Sequence, residues 1–205
     1  MSDVNEQETS NEGEEVVEEE YAPIPKSAPS DRAEFGPLDD NEAPVRPYID
    51  LGGIRILPRM GLQMRLEVEE KTKRVVAATL EIQGSTVQLQ PFAAPRSEGI
   101  WEPVRQNLAL QLERQKARVE TVEGLLGPEL RAVLPAGADG NVRALRIVGV
   151  DGPRWMLQGV IGGKALTDDT ALAEIVDLFR SVVVVRGATP MPPKQLIPLH
   201  PPTTS

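Results

Sequence analysis

The chain has 205 residues, with 31 acidic and 22 basic side chains, a net charge of −9, one histidine and no cysteine. The length suits one domain with tails. Lack of cysteine excludes disulfides, thiol nucleophiles and thiolate metal sites, and the cytoplasm is the expected compartment. No apolar run approaches the ~20 residues of a membrane-spanning helix, and the acidic N-terminus does not read as a secretory signal.

The charge is divided unevenly along the chain. Residues 1–44 hold 14 acids and two bases, a net charge of −12, whereas residues 45–205 hold 17 acids and 20 bases, a net charge of +3. Because like charges repel and prolines block regular structure, residues 1–47 are predicted to be a disordered acidic tail and a proline-rich linker. The tail either improves solubility only, or binds the basic body or a partner. A single α+β domain is expected over residues 48–187.

The first half of this domain shows strand patterns followed by a helix pattern. A short strand is expected in IDLGGIRILP, and the alternating segments LQMRLEVE, VVAATLEIQ and TVQLQPF predict a three-stranded antiparallel meander. The 3.6-residue period then predicts an amphipathic helix in IWEPVRQNLALQLERQKARVE, residues 100–120. Pro103 belongs to its first turn, where a missing N–H costs no hydrogen bond. The segment LRAVLP predicts a further strand.

Two strand patterns flank the segment GVDGPRW, residues 149–155, which predicts a hairpin. A two-residue loop would set Arg146 opposite Leu157. A three-residue loop over residues 151–153 instead gives one wholly apolar face, and we choose it, because a one-residue slip exchanges the faces of a strand. The residues of that face are Leu145, Ile147, Gly149, Trp155, Leu157, Gly159 and Ile161.

The hairpin is interpreted as structural. Trp155 is expected in the core, across from Gly149, where a ring covers bare backbone and secures the register. Arg154 is then expected on the opposite face. Asp151 is expected to form the turn rather than to catalyse a reaction. The residues assigned to this structural role are Gly149, Asp151, Gly152, Pro153 and Trp155.

A second amphipathic helix is predicted in TDDTALAEIVDLFRS, with Thr167 or Asp168 as its N-cap. With about six strands in an antiparallel sheet, each helix is expected to cover one face, which gives an α/β/α sandwich. The segment VVVVRG is either the end of the helix or a final strand. The proline-rich residues 188–205 predict an extended C-terminal arm, which packs along its own domain or binds a partner.

Five segments match the patterns of a known family. They are YIDLGGIRILP, FAAPRSEGIWEPVRQNLALQL, LLGPEL, RIVGVDGPRWMLQGVI and VVVVRGATPMPPKQLIPL, and they span residues 48–198. In these segments the chain resembles the actinobacterial domain-of-unknown-function family numbered 3710. The resemblance implies a cytosolic protein and brings no catalytic residues with it. The order of elements is also similar to that of the PsbP-type sandwich, a fold used mainly for binding, although this is an analogy at the level of the fold.

Nothing in the sequence points to catalysis, a metal or another cofactor. The single histidine, His200, lies in the proline-rich arm rather than on a rigid scaffold, so a Ser-His-Asp triad is not expected. Zinc sites draw on histidine and cysteine, which are not available in numbers here. The glycine-rich stretch GADG has neither the Lys-Ser/Thr pair nor the helix that follow a phosphate-binding loop.

Arginines are the strongest candidates for binding residues. The candidates are Arg96, Arg105, Arg114, Arg118, Arg146 and Arg154, of which Arg105, Arg114 and Arg118 are expected on the polar side of the first helix. They form either an ordinary solvated surface or a site for an anion, nucleic acid or acidic partner. The small positive charge of the body and its few aromatic residues argue against nucleic acid.

Two functions follow from these patterns. The first is a non-catalytic interaction or regulatory module with a protein partner. The alternative is a binding protein or an enzyme that holds a small ligand or nucleotide in a pocket near Arg96, Arg154 and Trp155. A flat apolar patch would favour the interaction module, and a pocket with converging arginines would favour the alternative.

Overall fold

The computed structural model describes residues 22–203, which form a seven-stranded antiparallel sheet, a small second sheet and short helices. The α-helices of this part of the chain are α1 (Arg32–Phe35), α2 (Trp101–Arg114) and α3 (Asp169–Arg180), and a 3-10 helix spans Lys164–Leu166. Its strands are β1 (Leu38–Asp39), β2 (Ile49–Asp50), β3 (Ile54–Ile56), β4 (Gln63–Val68), β5 (Val75–Ile82), β6 (Ser85–Ala93), β7 (Arg118–Gly124), β8 (Gly127–Leu134), β9 (Arg143–Asp151), β10 (Trp155–Gly163) and β11 (Val183–Val184).

The large sheet has the strand order β4-β5-β6-β10-β9-β8-β7, and the small sheet has the order β1-β11-β3-β2. The predicted meander is confirmed as β4–β6. Gln83 and Gly84 form the turn between β5 and β6 with φ angles of 49° and 81°, the left-handed geometry that two-residue hairpins use. The predicted α+β class with mostly antiparallel strands is therefore confirmed, and the segment IDLGGIRILP forms two strands, β2 and β3, rather than one.

Each face of the large sheet carries one of the longer helices. Helix α3 packs on one face, where Phe179 contacts Gly159, and Asp168 caps the helix by accepting a hydrogen bond from the N–H of Ala171 at 2.9 Å. Helix α2 packs on the other face through Trp101, which is fully buried. The small sheet also lies on the α3 side, where its apolar residues join the same core as α3.

The first long helix is shorter than the sequence predicts. Helix α2 ends at Arg114, whereas the periodicity predicts a helix to residue 120. Lys116 has a φ of 62°, which breaks the helix, and the chain returns as β7, a strand that the prediction missed. Val119 still packs against α2, but from the strand beneath it, so its apolar spacing was misread as helical.

The predicted register of the β9–β10 hairpin is wrong. Asp151 pairs with Met156, so four residues connect the paired positions, and Leu157 lies opposite Val150. An even-numbered connection exchanges the faces relative to a three-residue loop. The choice of loop relied on keeping Arg146 off the apolar face, but Arg146 lies at the far end of β9 beside Glu129, where an ion pair accommodates its charge.

The register places different partners over the glycines of the hairpin. A Cβ at Gly149 would overlap the indole of Trp101, so α2 covers this glycine and Trp155 does not. Trp155 is fully buried, as predicted, on the α3 side, and a Cβ at Gly152 would overlap its ring. The two tryptophans therefore lie on opposite faces of the sheet. Trp101 packs against Gly149, and Trp155 packs against Gly152.

Residues 22–47 differ from the linker that their prolines predict. They run along the domain, form α1 and add β1 in parallel to β11. Arg32 and Glu42 join two parts of this segment in a two-pronged ion pair with N–O distances of 2.8 and 2.7 Å. Prolines remove donors but leave carbonyl groups free to pair with a neighbour, so an extended segment is compatible with tight packing. The predicted disorder of residues 1–21 lies outside the described residues.

The C-terminal arm lies along the large and small sheets. Backbone N–H groups of Gly53 and Ala93 donate to the carbonyls of Pro198 and Gln195, at 3.0 and 2.8 Å. Ile197 and Leu199 are buried by these contacts. The arm thereby closes one side of the core.

Candidate functional site

Three arginines from separate parts of the chain border one cavity of about 570 Å³, here called the arginine cavity. Arg96 follows β6, Arg154 lies in the β9–β10 connection, and Arg186 follows β11. The carbonyl of Arg154 accepts a hydrogen bond from the N–H of Ala94 at 2.9 Å, which ties the connection to the end of β6. The fold thus brings together the two arginines of the predicted pocket and adds a third.

These guanidinium groups have no carboxylate partner among residues 22–203, since none lies within 4.0 Å of their nitrogens. Two acids also line the cavity, but both have other partners. Asp39 accepts a hydrogen bond from the indole N–H of Trp155 at 2.8 Å, and Asp40 pairs with Arg55 at 2.6 Å. The three guanidinium groups therefore form no ion pair within this part of the chain.

Arg186 is the most unusual of the three. Only 9% of its surface is exposed, and its Nη1 donates to the carbonyl of Thr189 at 2.8 Å. Its Nε has no hydrogen-bond partner in the described structure. Burial, and then the nearby charge of Arg154, lower the pKa of Arg186. A buried cation next to a like charge and with an unused donor is costly unless an anion joins it.

The wall of the cavity is held by Trp155 and the segment before β1. Trp155 binds Asp39 through its indole N–H, and the guanidinium of Arg32 lies 5.7 Å from the centre of its ring, within the range of a cation–π contact. Lys26 Nζ donates to the carbonyl of Pro153 at 2.7 Å and also to that of Gly152. Trp155 itself does not line the cavity; it supports the residues that do.

Asp151 joins three elements beneath the same hairpin tip. Its carboxylate accepts hydrogen bonds from the N–H groups of Ser27, Ile100 and Trp101 at 2.9, 3.0 and 3.2 Å. Burial raises the pKa of Asp151, and these hydrogen bonds and Lys26 oppose that rise. The carboxylate meets the N-terminal end of α2, where a negative charge is stabilised. These hydrogen bonds join the hairpin turn to the segment at Ser27 and to the start of α2.

Other predicted binding residues lie at separate places. Arg146 and Arg131 both contact Glu129 Oε1, at 3.4 and 3.3 Å, and these three residues are here called the Glu129 cluster. Glu129 is 3% exposed, and a Cβ at Gly124 would overlap it. Arg118 borders a small cavity of about 220 Å³ beside this cluster.

The expected arginine face of the first helix is not formed as predicted. Arg118 belongs to β7, beyond the end of the helix. Arg105 donates from Nη1 to Thr121 Oγ1 at 3.2 Å, while its Nε has no partner among the described residues. Arg114 lies in the last turn of α2. The six candidate arginines are therefore spread over three locations.

Sequence reasoning missed Arg186 and the acidic wall of Asp39 and Asp40. Arg186 occurs in VVVVRG. Its neighbours in the sequence do not indicate which cavity an arginine after a buried strand will border. The wall lies in the segment interpreted as a linker. A charged residue at the end of a fully apolar run was the one available signal, since such a run must be buried and carries the charge with it.

The described part of the chain contains no group of three or more histidine, cysteine, aspartate or glutamate side chains able to hold a metal ion. None of the helices in residues 22–203 has the length and apolar character needed to cross a membrane.

Comparison with known proteins gives one match. Neither the curated proteins nor the solved structures contain a match to this chain. The model of a family described as protein of unknown function (DUF3710) matches residues 36–205. The match begins beside the acidic wall and includes Arg96, Arg154 and Arg186. Because it covers most of the chain, the protein belongs to the DUF3710 family.

Proposed function

We propose that this protein is a binding module whose ligand presents an anionic group, a phosphate or a carboxylate, to the arginine cavity. The observation that carries the proposal is the convergence of Arg96, Arg154 and Arg186 on one cavity without a carboxylate partner among the described residues. Of the two functions expected from the sequence, a ligand-binding pocket near Arg96 and Arg154 agrees better with this geometry than a flat apolar patch does.

The geometry suits an anion for two reasons. Guanidinium groups offer planar pairs of N–H donors that match the oxygens of phosphate and carboxylate. An anion would also relieve the repulsion between the nearby charges of Arg154 and Arg186. Binding would then replace an unfavourable arrangement of charges by a favourable one.

The acidic residues of the lining restrict the ligand. Asp39 and Asp40 line the cavity together with Asn41, so a ligand that is anionic throughout would meet two carboxylates. A ligand fits both kinds of lining residue if one end is anionic and the other end carries hydrogen-bond donors or a positive charge. The anionic end would meet the arginines, and the other end would meet the acids. The proposal includes no catalytic step, because binding alone accounts for the arrangement.

Titration with inorganic pyrophosphate, followed by calorimetry, tests the proposal. Arg154→Gln and Arg186→Gln should each weaken binding about tenfold or more, since a charge-assisted hydrogen bond contributes ~1.5–3 kcal/mol. Arg114→Gln is the matched control, because it removes the same charge from the end of α2, away from the cavity. Equal affinity of the wild-type protein and the two cavity variants would contradict the proposal.

A further inference from the structure

Strand β4 forms one edge of the large sheet, and within residues 22–203 it has no strand neighbour on its outer side. Its side chains Gln63, Arg65, Glu67 and Val68 are exposed, and 52% of the surface of Val68 is accessible. Every second residue of an edge strand points its N–H and C=O groups outward, where a further strand can pair with them. The edge therefore offers backbone groups for strand addition.

One side of β4 carries an apolar row, Met64, Leu66 and Val68. Met64 and Leu66 pack against the core that includes α3, and both are only partly buried. Successive residues of a strand alternate between the two faces of its sheet, so Val68 continues the row at the exposed end of the strand. An added strand would cover this row if its own apolar residues lay on the same side.

The other side of β4 carries Arg65 and Glu67, which are opposite in charge and two residues apart. The carboxylate of Glu67 accepts hydrogen bonds from Thr79 Oγ1 and Gln88 Nε2, both at 2.6 Å, which leaves about two of its four acceptor positions free. Arg65 forms no ion pair within residues 22–203. A cation and an anion able to accept further partners therefore alternate along this edge.

One antiparallel register of β4 with the same strand of a second copy pairs all of these residues. A two-fold axis at Leu66 sets Leu66 opposite Leu66, and it sets Arg65 opposite Glu67 and Met64 opposite Val68, each twice. Apolar residues then meet on the α3 side, and opposite charges meet on the other side. Moving the axis to Arg65 or to Glu67 would instead set like charges opposite each other.

The opposite edge strand, β7, lacks this complementarity. An axis at Thr121 sets Val119 opposite Glu123, and an axis at Glu120 sets two glutamates opposite each other. In no register of β7 with itself that overlaps five or more residues does Arg118 meet an acid. The charge pattern therefore favours β4, rather than β7, as the edge that pairs with a second copy.

We propose that two copies of this protein pair through β4 in the register centred on Leu66, so that their large sheets join across the interface. Backbone hydrogen bonds supply the affinity, and the side-chain pairs set the register. One pair of short strands buries less than the ~1,200–2,000 Å² of a stable interface, so the dimer should dissociate on dilution. This interface does not involve the residues of the arginine cavity.

Sedimentation velocity of the whole chain over a concentration series, combined with charge reversal, tests the pairing. Arg65→Glu sets two pairs of like charges opposite each other, so the Kd of the dimer should rise about tenfold or more, and Glu67→Arg should act alike. An equimolar mixture of the two variants should dimerise again, because each reversed charge then meets its opposite. Arg118→Glu is the matched control on β7, and it should leave the Kd unchanged.

Three results would overturn pairing through β4. They are a chain that stays monomeric over the whole series, a Kd that Arg65→Glu leaves unchanged, and loss of the dimer in Arg118→Glu. Failure of the mixed variants to associate would overturn the register. Glu67→Arg also loses the hydrogen bonds from Thr79 and Gln88, and if it does not fold, Arg65→Glu decides the matter, because it breaks no ion pair within residues 22–203.

A disulfide locates the two-fold axis directly. The chain has no cysteine, so Leu66→Cys introduces one thiol per copy. Residues directly opposite each other in an antiparallel pair have Cα atoms ~4.5–5.5 Å apart, a distance that a disulfide can span. Oxidation should link Leu66→Cys into dimers and should leave the control Glu120→Cys, on β7, unlinked. Linkage of Glu120→Cys as fast as that of Leu66→Cys, or linkage of neither, would overturn the proposal.

Discussion

The arginine cavity and the Glu129 cluster contain the same side chain in opposite electrostatic situations. In the Glu129 cluster, Arg131 and Arg146 share one buried carboxylate of the chain. At the arginine cavity, Arg154 and Arg186 border the same space, and the two acids that line it have other hydrogen-bond or ion-pair partners. Arginines that pair with a buried carboxylate contribute to the fold, whereas the arginines without an ion pair are the ones proposed to bind a ligand.

The largest expected effect concerns the support of the arginine cavity. Trp155→Ala should lower the free energy of unfolding by ~3–5 kcal/mol, because it truncates a fully buried aromatic ring and frees Asp39 from the cavity wall. Chemical denaturation measures this. At the Glu129 cluster, Arg131→Gln should cost at most ~1 kcal/mol, since that side chain is 45% exposed. A folded Trp155→Ala protein of unchanged stability would contradict the structural role of the ring.

The next largest effect is expected when the Glu129 cluster loses its carboxylate and so resembles the arginine cavity. Glu129→Gln removes the shared counter-charge of Arg131 and Arg146, and it should cost ~1–3 kcal/mol because the side chain is buried. The two arginines would then lack a carboxylate, and the variant should gain a second, weaker pyrophosphate site. Calorimetry of the double variant Glu129→Gln/Arg186→Gln isolates that site. No binding in the double variant would mean that freed arginines alone do not make a site.

A smaller effect is expected where an arginine serves the ligand rather than the fold. Arg186→Met keeps an extended side chain but removes a buried charge with a like charge near it. The free energy of unfolding should stay within ~0.5 kcal/mol of the wild type or increase, while pyrophosphate binding is lost. Denaturation and titration of one sample provide both readings. A large loss of stability would assign Arg186 to the fold.

The smallest effects are opposite pH dependences of two carboxylates. Asp151 has a raised pKa, so its contribution to stability is present below its unfolded pKa of about 3.9 and is lost as the pH rises through the folded pKa. The hydrogen bond and charge of Arg32 lower the pKa of Glu42, so its contribution is present above about 4.3 and is lost as the pH falls through the folded pKa.

Denaturation curves between pH 3 and pH 7 separate these contributions. Asp151→Asn should remove the component of stability that declines with rising pH, and Glu42→Gln should remove the component that declines with falling pH. The same pH dependence in both variants and the wild type would mean that neither carboxylate titrates differently in the folded state.

The elements with strong local signals could be predicted from the sequence. Helix α3 has both an apolar stripe and a capping aspartate, Asp168, and the meander β4–β6 has alternating residues with a polar turn. The hairpin register could not be decided by apolar residues, because helices bury both faces of the sheet and either parity puts apolar side chains inside. The three-residue loop was chosen because Arg146 was expected to avoid the apolar face. Its ion-pair partner, Glu129, lies on another strand, and the sequence around Arg146 does not reveal this pairing.

The candidate site was predictable only in part for a related reason. Arg96 and Arg154 lie beside recognisable turns, which mark positions where side chains leave the sheet. Arg186 reaches the same cavity through β11, whose pairing with β1 depends on residues 22–47 packing along the domain. Their prolines predicted a linker, and the backbone carbonyls and Lys26 that fasten the segment to the hairpin have no pattern of their own.

The central claim is that the arginine cavity, and not the Glu129 cluster, receives an anionic group. The most direct measurement follows the Nε–H signals of individual arginines by NMR while pyrophosphate is added to the whole chain. The account predicts that the signals of Arg96, Arg154 and Arg186 shift together with one binding curve, and that those of Arg131 and Arg146 stay in place. Shifts at Arg131 and Arg146 with none at Arg186 would contradict it.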